Sequence, residues 1–346
     1  MSENPAGLSY RAAGVDRDAA QDAKTRILEL VRRTAGADVV ANPGGFGGLF
    51  RVPGGMRSPL LVSSADGVGT KLKVAMRAGR HDTVGTDLVN HCVNDILVEG
   101  ARALFFLDYI GMGRLEPGTV EQVVAGLANA CLANGCALLG GETAEMPDFY
   151  APGEYDLAGF IVGIVEEEER PGRARVGAGD MLIGLAADGF HTNGYSLLRR
   201  LVFGELELDV RDRFPESEES VADVLLRPHR SYARAVHPLL ADGAIHALAH
   251  ITGGGIPGNL DRVIPEGLQA RVERTSWTPP AEFRAVQRLG RIADDEMFHT
   301  LNMGVGMIVV AAADRANAVV ERLNAAGERA WLLGSVTHGN EPVVLV

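Results

Sequence analysis

The chain has 346 residues, a formal net charge of −12 at pH 7 and 46% hydrophobic residues. This length allows two domains that each bury a core, and the hydrophobic content is that of a globular protein rather than a disordered one. The acidic balance argues against nonspecific nucleic-acid binding, but glycine loops and a metal ion can still hold a phosphorylated small molecule.

The three cysteines are Cys92, Cys131 and Cys136, which form no CxxC pair. We expect reduced, mostly buried thiols in a cytoplasmic protein. The first ten residues have no apolar core of the signal-peptide type, and no apolar run reaches membrane-spanning length. We therefore expect neither a membrane nor a nucleic acid as a partner.

The N-terminal arm around Tyr10 is polar, and it is either a frayed end or a lid over a ligand. Asp16 or Asp18 is placed to cap a helix over about residues 19–34. The glycine-rich stretch 42–48 is either a turn or a loop that faces substrate, and its pattern does not decide between them.

The rest of the chain is organised around residues 60–100. An apolar strand at 60–64 leads into 66–71 (DGVGTK), which combines an acid, two close glycines, a hydroxyl and a lysine. This segment is neither a Walker A motif nor a GxGxxG fingerprint. The mixture nevertheless suits a phosphate-bearing ligand with a divalent metal ion.

A helix is predicted from about residue 87 to 101. At 100° per residue one broad face carries only polar side chains and no lysine or arginine: Asp87, Asn90, His91, Asn94 and Asp95. Such a face is unusual for a solvated helix, so we interpret it as facing a ligand. Asp87 and Asp95 would lie roughly 12 Å apart along the axis, which suits two ions along a polyphosphate. A plain N-cap is the alternative for Asp87.

Two more strand ends carry polar groups. A nearly continuous apolar strand at 103–110 holds Asp108 near its end, and after a helix from Pro117 to about residue 134 a buried strand ends at Gly140 and Gly141. Glu142 follows at once, where glycines let a ligand approach and the carboxylate can reach a metal. The alternative for Asp108 is a polar position that faces the edge of the sheet. The alternative for the segment from Gly140 to Glu142 is an ordinary turn.

A strand at 156–166 ends in an acidic connector, where we place the domain boundary: residues 1–170 form the N-terminal domain and 171–346 the C-terminal domain. The second half repeats the order of strand (181–186), polar loop (His191, Thr192, Asn193) and helix (197–203). The helix N-terminus could hold an anion, and a plain cap is the alternative.

A triple glycine follows His250 and Thr252, ahead of a further predicted helix. Three successive glycines exceed the need of a tight turn, so we expect a backbone nest for a phosphate. Farther on, helices near 281–289 and 314–326 alternate with strands at 306–311 and 330–336.

Together these segments resemble the family of phosphoribosylformylglycinamidine cyclo-ligase, also called aminoimidazole ribonucleotide synthetase. The matching runs are 64–71 (SADGVGTK), 92–95 (CVND), 104–109 (LFFLDY), 140–147 (GGETAEMP), 191–196 (HTNGYS), 252–255 (TGGG) and 302–307 (NMGVGM). The run at 140–147 is close to diagnostic, whereas the loop at 66–71 is shared more widely. His91 departs from the pattern, since it stands where an apolar residue, often Met, is expected.

The resemblance implies a two-domain α/β fold in which the N-terminal strands of two subunits pair into a shared barrel, giving a homodimer. It implies ATP-dependent closure of formylglycinamidine ribonucleotide to aminoimidazole ribonucleotide, with release of ADP and phosphate, in purine biosynthesis. Phosphorylation would turn the formamide oxygen into a leaving group as an iminophosphate, and intramolecular attack by the amidine nitrogen would close the ring. ATP and Mg²⁺ are the implied cofactors.

The resemblance also implies roles for particular residues. The implied magnesium ligands are Asp66, Asp87, Asp95 and Glu142. The implied ATP site comprises Asp66, Gly67, Gly69, Thr70, Lys71, Asn94, Asp108, Gly140, Gly141 and Glu142. The implied ribonucleotide contacts are Thr192, Asn193, Gly253, Gly254 and Gly255. Lys71, Asp95 and His191 are the implied catalytic residues, with Lys71 stabilising the transferred phosphoryl group and His191 acting as an acid or base. The alternatives are another ATP-using enzyme of the superfamily, such as a thiamine-phosphate kinase, and a nonenzymatic nucleotide-binding regulator.

Overall fold

A computed structural model gives the structure of the protein and describes Tyr10, residues 13–40 and residues 46–346. Most of the N-terminal arm and residues 42–45 of the glycine-rich stretch lie outside the described residues, so a lid and a substrate-facing loop there stay predictions. Where the description begins, Asp16 caps the first helix by accepting hydrogen bonds from the backbone N–H groups of Asp18 and Ala19. This confirms the predicted helix start.

The first sheet has the strand order β1-β4-β2-β3, with β4 antiparallel to β1 and β2 and with β3 parallel to β2. Its strands are β1 (Pro59–Gly67), β2 (Arg102–Met112), β3 (Ala137–Glu145) and β4 (Tyr155–Glu166). The accompanying helices are α1 (Arg17–Arg33), α2 (Leu72–Ala78), α3 (Asp82–Leu97) and α4 (Pro117–Ala133). The predicted strands of this half are confirmed; β1 and β2 are longer than predicted by three or four residues and β4 by one.

The two faces of this sheet differ in burial. Leu104, Phe106 and Ile110 alternate along β2 and are buried, as expected for the face that packs against helices. On the other face Leu61 is 65% exposed and Phe160 is 46% exposed. The first sheet therefore presents an uncovered apolar face.

The second sheet has the order β10-β7-β9-β5-β8-β6, antiparallel except for the parallel β10–β7 pair. Its strands are β5 (Met181–Ala186), β6 (Ile245–His250), β7 (Leu268–Val272), β8 (Val305–Ala311), β9 (Ala330–His338) and β10 (Val343–Leu345). Its α-helices are α5 (Tyr195–Arg199), α6 (Val221–Leu225), α7 (Ala233–Leu240), α8 (Gly255–Leu260), α9 (Ala281–Gly290), α10 (Asp294–Thr300) and α11 (Ala316–Ala325). A π-helical turn (Arg200–Glu205) continues α5. The connector between β4 and β5 contains the predicted boundary at residues 170 and 171.

The position of α3 differs from its prediction. The helix begins at Asp82, five residues earlier than expected, so Asp87 lies in its second turn and the N-cap alternative is wrong. None of the described helices combines the length and apolar character that a bilayer span requires.

Candidate functional site

The polar face of α3 lies against the C-terminal domain. The Asn90 side chain donates to the carbonyl of His229 over 2.7 Å, and the Asn94 amide donates to the carbonyl of Arg230 over 2.8 Å. The Asn94 amide oxygen also accepts the backbone N–H of Tyr232 over 3.0 Å. The face is thus not solvated, as its lack of basic residues indicated, but these two asparagines bind a backbone segment of the second domain rather than a nucleotide.

A buried ion pair strengthens the same contact. The Lys71 ammonium donates to Asp87 Oδ1 over 2.9 Å and to the carbonyls of His191 and Arg227 over 3.0 and 2.8 Å. Asp87 Oδ1 also accepts the backbone N–H of His229 over 2.6 Å. Burial lowers the pKa of Lys71 and raises the pKa of Asp87, and each charge opposes the shift of its partner.

This pair differs from the roles that the resemblance implied. Lys71 and Asp87 are both fully buried, and all three donors of the ammonium are engaged within the protein. Lys71 therefore joins two domains and has no donor left for a phosphate, while Asp87 presents no accessible oxygen to magnesium. Sequence periodicity placed both residues on a polar surface but could not show that another domain covers it.

A cavity of about 460 Å³ lies at the junction of the two domains. Its lining consists of Ser64, Asp66, His91, Asp95, Val98, Asn193, Thr252, Gly253 and Arg262. The predicted residues that it brings together are Asp66, Asp95, Asn193 and Gly253. Arg262 was not predicted from the sequence as a site residue. A basic residue that follows the triple glycine within the same segment of chain is nevertheless a recognisable signal for an anionic ligand.

Two carboxylates of this cavity are each paired with a histidine. Asp66 Oδ2 lies 2.7 Å from His91 Nε2, and Asp95 Oδ1 lies 2.8 Å from His250 Nδ1. Ser64 donates to the other oxygen of Asp95 over 3.1 Å. Burial acts to raise the pKa of both carboxyl groups, but the hydrogen bonds from His91 and His250 and the neighbouring positive charge outweigh it, so both pKa values are lowered. The site therefore offers two ionised carboxylates.

The histidines continue into a hydrogen-bonded chain. His91 Nδ1 lies 2.7 Å from Thr192 Oγ1, which lies 3.4 Å from His229 Nδ1, and His229 Nε2 lies 3.0 Å from His250 Nε2. A consistent proton assignment runs in one direction: His91 donates to Thr192, Thr192 to His229, His229 to His250, and His250 to Asp95. Thr192 thus links the histidines rather than lining the cavity.

His191 lies behind this chain. Its backbone is in the left-handed region (φ 58°), its ring stacks on His229 with centroids 3.9 Å apart, and it is not among the cavity-lining residues. Its Nε2 accepts the backbone N–H of Asp188 over 3.3 Å. Burial lowers the pKa of His191 well below its usual value, so the imidazole is neutral. This placement suits a residue that packs behind the histidine chain better than one that transfers a proton to substrate, as the resemblance implied.

The triple glycine serves two purposes. Gly253 lines the cavity, whereas Gly254 and Gly255 have φ values of 91° and 60° that favour glycine. A Cβ at Gly255 would lie only 1.8 Å from the carbonyl oxygen of Phe298. Close packing, in addition to ligand access, explains why three glycines follow one another.

The loop after β1 stays near the other domain. Gly67 donates its N–H to Asp66 Oδ1 over 2.6 Å, and Gly69 has a φ of 66°. Thr70 Oγ1 lies 3.2 Å from Ser196 Oγ at the start of α5. Gly69 and Thr70 are exposed beside the cavity residue Asp66 at the end of β1, whereas Val68 and Lys71 of the same segment are buried.

The remaining predicted residues lie farther along the first sheet. Asp66, Gly159, Asp108 and Gly141 form one row across β1, β4, β2 and β3. Asp108 lies on the buried, helix-facing side, and burial raises its pKa to about 7. A Cβ at Gly141 would lie 2.3 Å from Asp108 Oδ1, so this glycine makes room for the carboxyl group.

Glu142 follows on the edge strand β3 and is exposed. Glu142 pairs with Tyr109 of β2, so its side chain points to the face opposite that of Asp108. Gly140, two residues earlier on β3, pairs with Leu107. Three strand spacings of about 4.8 Å separate β3 from β1, which places Glu142 roughly 14 Å from the row position of Asp66. Within one chain Glu142 therefore does not join Asp66 and Asp95, contrary to the expected shared metal site.

The comparisons with known proteins agree with the architecture. The family models described as AIR synthase related protein, N-terminal domain and C-terminal domain match residues 49–165 and 177–346. The phosphoribosylformylglycinamidine cyclo-ligase of Trichlorobacter lovleyi is 47% identical over 98% of both chains, and that of Sorangium cellulosum is 50% identical over 95% of both.

Solved structures share the fold at low identity. Thiamine-monophosphate kinase from Stenotrophomonas maltophilia superposes with a TM-score of 0.67 at 17% identity, covering 92% of this chain and 95% of the kinase. The hydrogenase maturation protein HypE in complex with ATP gives a TM-score of 0.67 at 20% identity, covering 93% of this chain and 90% of HypE. These likenesses confirm the predicted two-domain α/β fold.

Proposed function

Because the chain belongs to the AIR synthase related protein family and matches named cyclo-ligases over nearly its full length, we infer that it is a phosphoribosylformylglycinamidine cyclo-ligase. It converts formylglycinamidine ribonucleotide and ATP into aminoimidazole ribonucleotide, ADP and phosphate, a step of purine biosynthesis. The resemblance of the sequence motifs and the names of the relatives lead to the same enzyme.

We place the ribonucleotide in the cavity between the domains. The observation that carries this proposal is that Asp66 and Asp95 of one domain meet Asn193 and Arg262 of the other. A guanidinium group suits a phosphate, and the Asn193 Nδ2 atom is buried without a hydrogen-bond partner among the described residues. The cavity therefore has an unused donor for a ligand, and its preorganised walls would favour the intramolecular ring closure.

Magnesium would enter with the nucleotide, and the donor set partly fits it. Asp66 and Asp95 are ionised oxygen ligands at one cavity, as a hard divalent cation requires. Asp87 is excluded by its pairing with Lys71, and Glu142 by its distance. When bound, the ion would neutralise charge on the transferred phosphoryl group. We propose Gly67, Gly69 and Thr70 as the adjoining loop for the ATP phosphates.

We further propose a homodimer formed through the uncovered face of the first sheet. Leu61 and Phe160 are exposed on the same face of the paired strands β1 and β4, and an exposed apolar patch on a sheet marks an interaction site. Pairing of this sheet between two subunits agrees with the shared barrel that the resemblance implied. Leu61→Glu should convert the dimer to a monomer in light scattering, and a wild-type protein that is monomeric at micromolar concentration would refute the proposal.

A turnover assay with ATP and formylglycinamidine ribonucleotide tests the activity. Asp95→Asn should lower kcat by at least roughly 100-fold, the scale of losing one charge that stabilises a transition state. The exposed Asp156 gives a matched control, since Asp156→Asn should leave kcat unchanged. Near-normal turnover by a folded Asp95→Asn variant would remove Asp95 from the mechanism, and absence of ring product from the wild type would remove the proposed reaction.

The substrate side can be tested separately. Gly254→Val forces a branched side chain onto a residue with φ 91°, beside the cavity-lining Gly253. The KM for the ribonucleotide should rise more than the KM for ATP. An equal rise of both values would contradict the assignment of this loop to the ribonucleotide.

A further inference from the structure

The cavity contains a cluster of donors that carboxylates alone do not explain. One ligand atom from each of His91, Asp95 and His250 lies within 4.8 Å of the other two. His91 and His250 are buried, and Asp95 is half-buried. Two imidazoles and one carboxylate form the ligand set of a transition-metal site with an open position. Asp95 would serve this ion in the nucleotide-free protein and magnesium when the nucleotide is bound.

We propose that His91, Asp95 and His250 bind a divalent transition-metal ion of the Zn²⁺ or Co²⁺ class, with the open coordination position facing the cavity. The ligand atoms would be His91 Nε2, His250 Nδ1 and a carboxylate oxygen of Asp95. Metal binding can be measured without substrate, so this proposal stands or falls independently of the proposed reaction.

The distances between the ligand atoms suit such an ion. His250 Nδ1 lies 2.8 Å from Asp95 Oδ1, and His91 Nε2 lies 3.9 Å from Asp95 Oδ2. Ligands about 2.0–2.1 Å from a tetrahedral zinc ion lie roughly 3.4 Å from one another, and the two observed distances bracket that value. The two histidines contact different oxygens of Asp95, so rotation of the carboxylate and of the His91 ring would bring the three donors onto one ion.

The second nitrogen of each histidine is already held by the protein. His91 Nδ1 contacts Thr192, and His250 Nε2 contacts His229. Metal-ligating histidines typically have such outer partners, which fix the ring and the tautomer. The remaining nitrogen of His250 faces Asp95 at 2.8 Å, whereas that of His91 contacts Asp66 at 2.7 Å and would turn to the ion from there.

The hydrogen-bonded chain also accommodates the change of tautomer that metal binding requires. With metal on its Nδ1, His250 carries its proton on Nε2 and donates to His229 Nε2. His229 then donates from Nδ1 to Thr192 Oγ1, which also accepts from His91 Nδ1. A hydroxyl oxygen accepts two hydrogen bonds, so no buried nitrogen of the chain loses its partner. The reversed chain thus keeps every imidazole nitrogen paired, and only the Thr192 hydroxyl hydrogen gives up its acceptor, His229 Nδ1.

The charge around the cluster is compatible with a cation. Asp66 contacts His91 Nε2 at 2.7 Å and adds a second negative charge, while Arg262 on the same cavity adds one positive charge. Before a metal ion binds, His91 donates from Nε2 to Asp66 and from Nδ1 to Thr192, so its positive charge and that of Arg262 balance the two carboxylates. The ion would replace the Nε2 proton of His91 and leave the carboxylates in excess. Asp66 would be released from His91 and remain beside the ion as a counter-charge.

Cobalt gives a direct readout of this geometry. We would titrate the full-length protein with Co²⁺ and record the visible d–d absorption, which is intense for tetrahedral ions and weak for octahedral ones. We expect one equivalent of Co²⁺ with an intense band, displaced by Zn²⁺ but not by millimolar Mg²⁺. A weak octahedral spectrum, or displacement by Mg²⁺, would overturn the proposal, because imidazole ligands disfavour Mg²⁺.

Substitutions that keep the local hydrogen bonds separate metal binding from folding. His91→Gln retains an N–H near the position of Nε2, and His250→Asn retains one near Nδ1, so far-UV circular dichroism should be unchanged. Each should weaken Co²⁺ binding by at least roughly 100-fold, since even outer partners are worth 10–100-fold. His246→Asn is the matched control, because His246 is paired with Asp180 at 2.7 Å away from the cavity. Wild-type affinity in either folded ligand variant, or an equal loss in the control, would refute the site.

Discussion

Asp108 provides a test of the physical reasoning that does not depend on the reaction. Its carboxyl group lies on the helix-facing side of β2, among the apolar neighbours Phe106 and Ile110. Burial raises its pKa from the usual 3.8 to about 7. Asp108→Asn keeps the size of the side chain and removes the ionisation, so the variant isolates the cost of placing a negative charge in this layer.

The sign and size of the effect follow from proton linkage. Below pH 3.8 the carboxyl group of Asp108 is protonated in both states and costs nothing; as the pH rises to about 7 only the unfolded chain ionises, so the folded protein loses stability. The shift corresponds to about 4 kcal/mol at pH 8 and to about 1.7 kcal/mol at pH 5, at 1.36 kcal/mol per pKa unit. The variant should therefore gain about 2–3 kcal/mol relative to wild type between pH 5 and pH 8.

Urea unfolding of both proteins at the two pH values measures this difference. Any cost of burying the asparagine amide is the same at both pH values and cancels in the comparison. Asp314→Asn, which changes an exposed carboxylate in the loop before α11, is the control and should show little change. If the effect of Asp108→Asn were equal at pH 5 and pH 8, the carboxyl group would be ionised in the folded protein and the burial argument would fail.

Two further substitutions address the packing between and within the domains. Lys71→Met leaves Asp87 buried without its counter-charge and should lower the free energy of unfolding by about 3–5 kcal/mol. Adding Asp87→Leu should recover most of this loss. A double variant as unstable as the single variant would contradict this explanation. Gly255→Ala should lower the denaturation midpoint, by about 1–3 kcal/mol in stability, because its Cβ would meet the Phe298 carbonyl. Gly258→Ala is the matched control, with no described atom within 4 Å of its Cβ, and equal losses in both variants would refute the packing argument.

The sequence predicted the elements of the fold better than the partners of its polar residues. Strands such as β5 and helices such as α4 were placed within one or two residues of their observed bounds, because apolar runs and proline are local signals. Short elements without a strong period, such as β7 and β10, were not predicted. Local pattern also could not reveal that β3 is an edge strand, since strand order depends on contacts between distant segments.

The candidate site shows the same division. Asp66, Asp95 and Asn193 follow recognisable loops or faces, and the cavity brings them together. Lys71 and Asp87 have equally suggestive sequence positions, yet they lie in a buried ion pair. Periodicity assigns a residue to a face, but only the tertiary structure shows whether that face meets ligand, solvent or another domain.

The contact made by α3 has a consequence for how substrates enter. The ammonium of Lys71 bonds to two carbonyls of the second domain, and Asp87, Asn90 and Asn94 bond to its backbone as well. Separating the domains would break these hydrogen bonds together, at a net cost of several kcal/mol at about 1 kcal/mol each. We therefore expect substrate to enter through the mouth of the cavity rather than by wide opening of the domains. The same rigidity holds Asp95 and Asn193 in place before substrate arrives, as an intramolecular ring closure requires.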